Sequence, residues 1–342
     1  MKKILIIGAG AMGSAFSVPC ADNNDEVFLI GSFLENALIS KIKSNNNFHP
    51  SLNINLPSKI NIQNFDNLKN ITKKGIDVIV VAVSSVGIDW VGDEISKFYK
   101  NKTPIILLTK GLSINNNQLI TLSEKLELKL KSSGYEQINI SSVKGPCLAS
   151  GLANKMRTDT VIANKDIEEA QKIQKIIQTK YYKCEISNDI PGVEFSSAIK
   201  NLYSMLIGGS QGLSNPLAPE QIQEKFYLNT AASLIHRSIS EMTELVSYYS
   251  GREETVYGLA GLGDLYVSVS GGRNSKMGKL LGKGFLYKEA KEKFMKNITV
   301  EGAQMALDIG PKLTSNFDKK KFPLLFSILE CICENKKLQI DW

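Results

Sequence analysis

The sequence predicts an α/β fold in which an N-terminal doubly wound parallel sheet, residues 1–190, is followed by an all-helical C-terminal domain, residues 191–342. Short β-branched runs such as Asp77 to Val83 alternate with helical segments as far as Pro191, a pattern typical of parallel sheets. After Pro191 long amphipathic segments take over, at 192–212, 219–250, 274–293, 299–312 and 322–336. Because single cores usually stop growing near ~250–300 residues, a chain of 342 is long enough for two domains.

The N-terminus carries a glycine fingerprint. The run KILIIG at 3–8 is the kind of strand that is buried on both faces of a parallel sheet, and GAGAMG occupies 8–13. The GxGxxG spacing permits a tight turn, close approach to a pyrophosphate, and close packing of a helix whose N-terminus faces the phosphates. A second strand follows at 26–30, so we interpret the domain as Rossmann-like. The expected cofactor contacts are Gly8, Gly10, Ala11, Met12 and Gly13.

The choice between NAD and NADP stays open. Gly31-Ser32-Phe33 stands where an NAD-selective site normally carries an acid, and no Arg is present there to bind a 2′-phosphate. Ser32 can hydrogen-bond either cofactor. Glu35 is a possible substitute for the acid, but it is badly spaced.

Composition excludes several classes of function. The net charge of +7 is spread along the chain, which is compatible with steering anionic metabolites or with weak nonspecific contact with nucleic acid. We expect a small phosphorylated substrate and no nucleic-acid partner. Five cysteines without a CxxC pair indicate reduced, buried thiols in a cytoplasmic protein, and with only two histidines we expect no metal.

Lys2, Lys3 and the apolar run to Ala21 imitate a signal peptide, but glycines interrupt the run. No stretch long enough for a membrane span is predicted.

Three parts of the chain carry candidate chemistry. Lys110 directly follows the strand at 104–108, and ligands bind at the carboxyl ends of such strands. Lys200 lies among small and apolar residues, where desolvation would lower its pKa and favour proton exchange, although such a lysine can also extend to solvent. Gly258 to Gly284 contains eight glycines among cationic residues, which indicates either backbone held close to an anion or a flexible loop.

Taken in order, GAGAMG, TKGL, KGP, SSAIKNLYSM and GLAGLGDLYVSVSGGRN resemble the NAD(P)-dependent glycerol-3-phosphate dehydrogenase family over nearly the whole chain. The resemblance implies reversible reduction of dihydroxyacetone phosphate to sn-glycerol 3-phosphate by hydride transfer. It implies that Lys200 is the acid/base and that Lys110 and Asp264 complete the reacting centre. The implied substrate and phosphate contacts are Asn201, Ser268, Arg273 and Asn274, and the implied cofactor contacts include Lys110, Arg273 and Glu301.

Some segments depart from the family pattern. Met12 replaces a Trp, a form that also resembles ketopantoate reductase, and Ser32 replaces an Arg. The segments 150–158 and 213–229 differ as well. The alternatives are therefore a reductase of a longer ketose phosphate, a 2-keto acid reductase, and a nucleotide-binding relative without enzymatic activity. A homodimer is compatible with the apolar faces of the helical segments.

Overall fold

The computed structural model describes residues 2–24, 26–213 and 227–341. The chain divides into two compact units. The first contains Met1–Lys110 and Thr121–Ile190, and the second contains Gly111–Ile120 and Pro191–Trp342. The segment 111–120 groups with the helical residues, which a single boundary at 190 does not anticipate.

The described strands, in chain order, are β1 (Lys3–Ile7), β2 (Glu26–Ile30), β3 (Phe48–His49), β4 (Ile54–Asn55), β5 (Ile60–Gln63), β6 (Val78–Val81), β7 (Pro104–Leu107), β8 (Leu112–Asn115), β9 (Gln118–Thr121), β10 (Asn139–Lys144), β11 (Thr158–Ala163) and β12 (Tyr182–Ser187). The described α-helices are α1 (Ala11–Asn23), α2 (Asn36–Ser44), α3 (Leu68–Thr72), α4 (Ile88–Ser96), α5 (Leu122–Ser132), α6 (Ala149–Ala153), α7 (Ile167–Ile177), α8 (Ile190–Leu213), α9 (Leu228–Tyr248), α10 (Glu253–Tyr257), α11 (Asp264–Val269), α12 (Arg273–Gly282), α13 (Tyr287–Phe294), α14 (Glu301–Asn316) and α15 (Pro323–Cys333). A π-helical turn, Leu259–Gly263, precedes α11.

The first unit is built on one sheet, in the order β12-β11-β10-β7-β6-β1-β2-β5. Strands β5, β2, β1, β6, β7 and β10 are parallel, and helices cover both faces. Along β1, Ile4 and Ile6 enter the core on one face, whereas Leu5 and Ile7 enter the core on the other. Burial on both faces explains why this strand is a continuous apolar run. The predicted fold class is confirmed.

The far edge of the sheet differs from the parallel arrangement predicted for residues 1–190. Strand β11 is antiparallel to β10, and β12 is parallel to β11. A parallel pair needs a crossover that returns along the whole strand, whereas the β10–β11 connection contains only the five-residue α6. The chain therefore reverses direction here, and the sheet is mixed.

In the described residues of the second unit, the regular elements are helices apart from the two-stranded sheet of β8 and β9. Asn116 and Asn117 join these strands, both with positive φ, as a two-residue hairpin turn requires. Leu112 and Leu119 enter the core of the helical unit. The predicted helix at 274–293 is two helices, α12 and α13, because Gly284 adopts a φ of +93° between them. Part of the predicted helix at 219–250 lies outside the described residues, and α9 begins at Leu228.

Helix α8 forms the centre of this unit, and glycines let α12 pack directly against its backbone. A Cβ on Gly278 would lie 1.8 Å from the carbonyl oxygen of Met205, and one on Gly282 would lie 2.0 Å from that of Gly209. Neither a flexible loop nor contact with an anion explains these two glycines. The sequence-based interpretation of Gly258–Gly284 is therefore wrong for Gly278 and Gly282, because the backbone of α8 fills the space beside them.

The carboxylate of Glu241 joins three helices inside the second unit. It accepts hydrogen bonds from the N–H groups of Leu324 (2.8 Å) and Leu325 (2.9 Å) at the start of α15, and from the hydroxyl of Tyr203 on α8 (3.0 Å). Burial raises the pKa of Glu241 despite these donors. The carboxylate therefore satisfies a helix N-terminus that would otherwise have unpaired donors in the core.

We expect Glu241→Gln to lower the free energy of unfolding by about 1–3 kcal/mol, because an amide nitrogen would face one of the two backbone donors. A raised pKa in the folded state favours the protonated acid, so this group's contribution to wild-type stability falls as the pH rises through that pKa. The destabilisation should thus be larger at about pH 5 than at about pH 8 in urea titrations followed by circular dichroism. Tyr203→Phe removes only one donor and should cost less; equal losses from both variants would contradict this account.

Candidate active site

The glycine loop after β1 has a backbone that side chains would obstruct. Gly8 has a φ of +110°, and a Cβ there would lie 2.7 Å from the carbonyl carbon of Ala82. A Cβ on Gly13 would lie 2.0 Å from the carbonyl oxygen of Gly8. The N-cap residue of α1 is Gly10, and no side chain among the described residues caps this helix. The loop and the helix start therefore fit a pyrophosphate, which would accept hydrogen bonds from the N–H groups of the first turn.

Glu35 is the acid that reaches this loop, although its spacing in the sequence had argued against it. Its Oε2 accepts hydrogen bonds from the N–H groups of Ser32 (2.7 Å) and Ala9 (3.2 Å). Ser32 thus contributes its backbone N–H to Glu35, and its side chain is partly exposed. An acid at the N-cap of a helix, three residues after a serine in a turn, was the signal that could have indicated this contact.

Lys110 lies in the first unit, after the carboxyl end of β7. Its Nζ is 3.4 Å from the carbonyl oxygen of Gly145, which follows β10, and the side chain is partly exposed. The cation therefore lies where two neighbouring parallel strands end, the edge at which such sheets bind ligands.

In the second unit a buried ammonium lies between two helices. Lys200, in the middle of α8, is 4% exposed. Its Nζ donates to Oδ1 of Asp264 at 2.9 Å and to Oγ of Ser268. Asp264 and Ser268 are four residues apart on α11, so they lie on the same face of that helix. The structure thus brings together three residues that the family resemblance had implied.

Next to Lys200 along α8, Asn201 belongs to a second buried network. Nδ2 of Asn274 donates to Oδ1 of Asn201 at 2.9 Å, and Oδ1 of Asn274 accepts the N–H of Gly302 at 2.9 Å. A Cβ on Gly302 would lie 2.6 Å from the carbonyl oxygen of Asn201. The Asn274 amide therefore holds protein groups, and it orients Asn201.

The starts of α12 and α14 lie side by side at this network. Arg273, the first residue of α12, forms an ion pair with Glu301, the first residue of α14, and both side chains are substantially exposed. In the part of the chain that the structure describes, no side chain caps either helix. Two helix N-termini next to an arginine produce a positive potential that favours binding of an anion. In this structure the anionic group paired with the arginine is the carboxylate of Glu301.

Other expectations concern cysteines, metals and membranes. Cys20, Cys184 and Cys331 are buried and Cys147 is half-buried, but Cys333 is exposed, because it ends α15 where the chain leaves the core. Within the described ranges, no cluster of three or more His, Cys, Asp or Glu side chains is placed to hold a metal ion. None of the described helices combines the length and apolar composition that crossing a bilayer requires.

Comparison with known proteins gives the same family over both units. The N-terminal and C-terminal models of NAD-dependent glycerol-3-phosphate dehydrogenase match residues 3–170 and 189–340. The chain is 33% identical to an NADP(+)-dependent glycerol-3-phosphate dehydrogenase of Archaeoglobus fulgidus, covering 98% of this chain and 96% of that protein. It is 29% identical to a glycerol-3-phosphate dehydrogenase [NAD(P)+] of Bacillus pumilus, covering 99% and 92%.

Solved structures show the same fold. The structure of glycerol-3-phosphate dehydrogenase from Coxiella burnetii aligns with a TM-score of 0.81 at 24% identity, covering 99% of this chain and 96% of that one. The corresponding structure from Plasmodium falciparum aligns with a TM-score of 0.81 at 21% identity, covering 98% and 92%.

Proposed function

Because this chain belongs to the NAD(P)-dependent glycerol-3-phosphate dehydrogenase family, we propose that it interconverts dihydroxyacetone phosphate and sn-glycerol 3-phosphate with Lys200 as the proton donor and acceptor. The observation that carries the assignment of Lys200 is its buried ammonium, held by Asp264 and Ser268. When bound, the nicotinamide cofactor supplies the hydride. The glycine loop between Gly8 and Gly13 is the part of the chain that we propose holds its pyrophosphate.

In the reducing direction, negative charge develops on the C2 oxygen of the substrate. A protonated Lys200 stabilises this charge and donates a proton to the oxygen, so that the product is an alcohol and the lysine becomes a neutral amine. In the oxidising direction, the neutral amine removes the proton from the C2 hydroxyl. Asp264 and Ser268 fix the direction of Nζ through both steps, because each accepts one of its N–H groups.

Lys110 is included in this proposal as a second cation that stabilises charge on the substrate or cofactor. Its support is its position after the carboxyl end of β7, together with the TKGL motif. Asn201 is proposed as a substrate contact, whereas Asn274, whose amide holds Asn201 and Gly302, acts as a positioning residue.

We propose that Arg273 and the starts of α12 and α14 bind the substrate phosphate. A guanidinium carries five N–H donors, so it can bind two phosphate oxygens in a fork while one donor remains on Glu301. Binding energy from the phosphate, which does not react, can hold the C2 carbonyl in position for reduction. Glu301 competes with the phosphate for Arg273, in addition to its proposed place near the cofactor.

Arg273→Ala should lower kcat/KM for dihydroxyacetone phosphate by about 10²-fold or more, since it removes two hydrogen bonds to a charged group worth roughly 1.5–3 kcal/mol each. Dihydroxyacetone, which lacks the phosphate, should be reduced at the same low rate by wild type and variant. Steady-state assays give, for each of the two substrates, the ratio of kcat/KM between wild type and variant. Equal losses with both substrates would contradict a phosphate-binding role.

A variant at the ion-pair partner of Arg273 distinguishes loss of the phosphate-binding charge from general damage to the fold. Glu301→Gln removes the carboxylate that competes for Arg273, so it should lower the KM for the phosphorylated substrate. Its Kd for the cofactor, measured by calorimetry, reports whether Glu301 also contacts the nucleotide.

The family assignment favours this activity over a 2-keto acid reductase and over a relative without activity. A longer ketose phosphate is the remaining alternative, motivated by the departures at 150–158 and 213–229. Of the latter segment, residues 214–226 lie outside the described part of the chain. Assaying ketose phosphates of increasing length distinguishes the substrates.

Three broader expectations belong to the same proposal. We assign cofactor binding to 1–190 and substrate binding to 191–342, with support from the two family models that divide the chain near this point. Free cysteines support a reducing, cytoplasmic location. A homodimer stays an expectation, compatible with the apolar faces of the helical segments.

A further inference from the structure

Lys144, a second lysine, lies near Lys110 at the carboxyl edge of the sheet in the first unit. It is the last residue of β10 and the first of the KGP motif, which has no role in the proposed function. Lys144 is 2% exposed, whereas Lys3 in β1 and Lys183 in β12 are at least partly exposed. Burying an ammonium group removes it from water, which costs free energy that an apolar side chain would not cost. The chain therefore keeps a destabilising charge at this edge.

The ammonium of Lys144 crosses from β10 to the neighbouring strand. Its Nζ donates to the carbonyl oxygen of Leu107, the last residue of β7, at 2.9 Å. Leu107 is paired with Ser142 in the parallel register, so Lys144 lies two residues beyond the paired position and on the same face as Ser142. The contact therefore joins the last residues of two neighbouring parallel strands.

Lys110 makes the reverse contact. Its Nζ is 3.4 Å from the carbonyl oxygen of Gly145, the residue that follows Lys144. Gly145 has a φ of +138°, and a Cβ there would lie 3.0 Å from Cα of Thr160 on β11, so a side chain would be strained at this position. Each lysine thus donates to a carbonyl oxygen in the segment that carries the other lysine.

The backbone before Lys110 is also held from the opposite side. Oγ1 of Thr109 donates to the carbonyl oxygen of Val83, beyond the end of β6, at 2.7 Å. Lys144 holds Leu107 from the side of β10, and this hydroxyl holds Thr109 from the side of β6. Lys110 therefore follows a short segment of backbone that is attached to both neighbouring strands.

The two lysines differ in what they can reach. Lys110 is half-buried, so a ligand at this edge of the sheet can contact its ammonium. Lys144 is almost completely buried, and its contact with Leu107 acts on Lys110 through the backbone. Such support matters because a displacement of about 1 Å can lower the rate of a reaction by about 10²-fold.

We propose that Lys144 is a positioning residue. By fixing the end of β7, it holds the ammonium of Lys110 in the place from which Lys110 stabilises charge on the substrate or cofactor. This inference rests on the proposed function in taking Lys110 as a cation of the reacting centre.

The test is a double-mutant cycle in the full chain. Lys144→Met should lower kcat/KM for dihydroxyacetone phosphate by about tenfold, because the ammonium of Lys110 is no longer held in position. In a Lys110→Met background the same change should lower kcat/KM by less than about twofold, since the group that Lys144 positions is already absent. Lys183→Met removes an exposed lysine from β12 and should leave kcat/KM within about twofold of wild type.

A role of Lys144 in the fold alone, or a direct effect on the ligand, would give equal losses in both backgrounds and overturn the proposal. Wild-type activity in Lys144→Met would overturn it as well. If Lys144→Met does not fold, Lys144→Gln takes its place in the cycle. Its amide keeps a donor but is one bond shorter than the lysine side chain, so its loss of activity must show the same dependence on Lys110.

Hydrogen exchange distinguishes this inference from the proposed function, because the measurement needs no substrate. In Lys144→Met the backbone amides of residues 107–111 should exchange about tenfold faster than in wild type, whereas those of β2 should be unchanged. Unchanged exchange at 107–111 would overturn the proposal even in an active enzyme. A chain that reduces no ketose phosphate would refute the proposed function, and faster exchange would still show that Lys144 fixes this segment.

Discussion

Replacing Lys200 with methionine should lower kcat for dihydroxyacetone phosphate by about 10³-fold or more, because the variant loses both the proton donor and the cation that stabilises the developing oxyanion. Methionine fills much of the same volume, and Lys200 is buried between α8 and α11, so the loss of packing is small. Affinity for the cofactor, measured by calorimetry, should be retained. Stopped-flow absorbance of the reduced cofactor gives the rate of the chemical step.

Two further variants distinguish proton transfer from simple charge. Lys200→Arg keeps the positive charge but cannot release a proton near neutral pH, so it should also be nearly inactive. Lys276→Met alters an exposed lysine on α12 and should retain activity to within about twofold. Substantial activity in Lys200→Met, or recovery of the wild-type rate in Lys200→Arg, would refute the role of Lys200 as acid/base.

Replacing Gly278 with alanine should destabilise the helical unit by about 3 kcal/mol, although alanine favours helix formation elsewhere. The new Cβ would lie 1.8 Å from the carbonyl oxygen of Met205, and a backbone atom in a central helix cannot rotate away. Helices α8 and α12 must separate, which would also displace Lys200, five residues before Met205. The thermal midpoint should fall by several degrees, and kcat should fall with it.

Gly151→Ala is the matched control, since this glycine also lies inside a helix. The nearest atom that a new Cβ there would meet is Cβ of Met156, at 4.0 Å. Without a clash, the change should stabilise the chain by up to ~1 kcal/mol through helix propensity. If both variants shift the thermal midpoint in the same direction, close packing of α12 on α8 is not the reason that position 278 is glycine.

Some elements could be predicted because their sequence pattern reflects their own burial. The limits of β2 match the predicted 26–30, and β1 ends within one residue of its prediction, since both are apolar runs buried on two faces. Strand β5 was missed because INIQ is short and polar, and pairing with β2 makes it a strand. The hairpin at 112–121 was missed for the same reason.

In the candidate site, too, some features could be predicted from the sequence and others depend on tertiary packing. The family resemblance implied that Lys200, Asp264 and Ser268 belong together, but no local pattern connects residues 64 positions apart. Their contact depends on how α8 packs against α11. Asn274 was expected to hold the substrate, and the structure instead shows its amide bonded to Asn201 and to the backbone of Gly302.

The sequence by itself determined the fold class, the glycine fingerprint and the family, because these depend on residue type and spacing along the chain. Only the tertiary structure decided what the glycines of α12 and the acid at position 35 do. A glycine that admits a ligand and one that admits a helix look alike in sequence, since both are chosen for a missing Cβ. The reach of Glu35 depends on a turn whose tightness is set by Ile39 packing above Gly31.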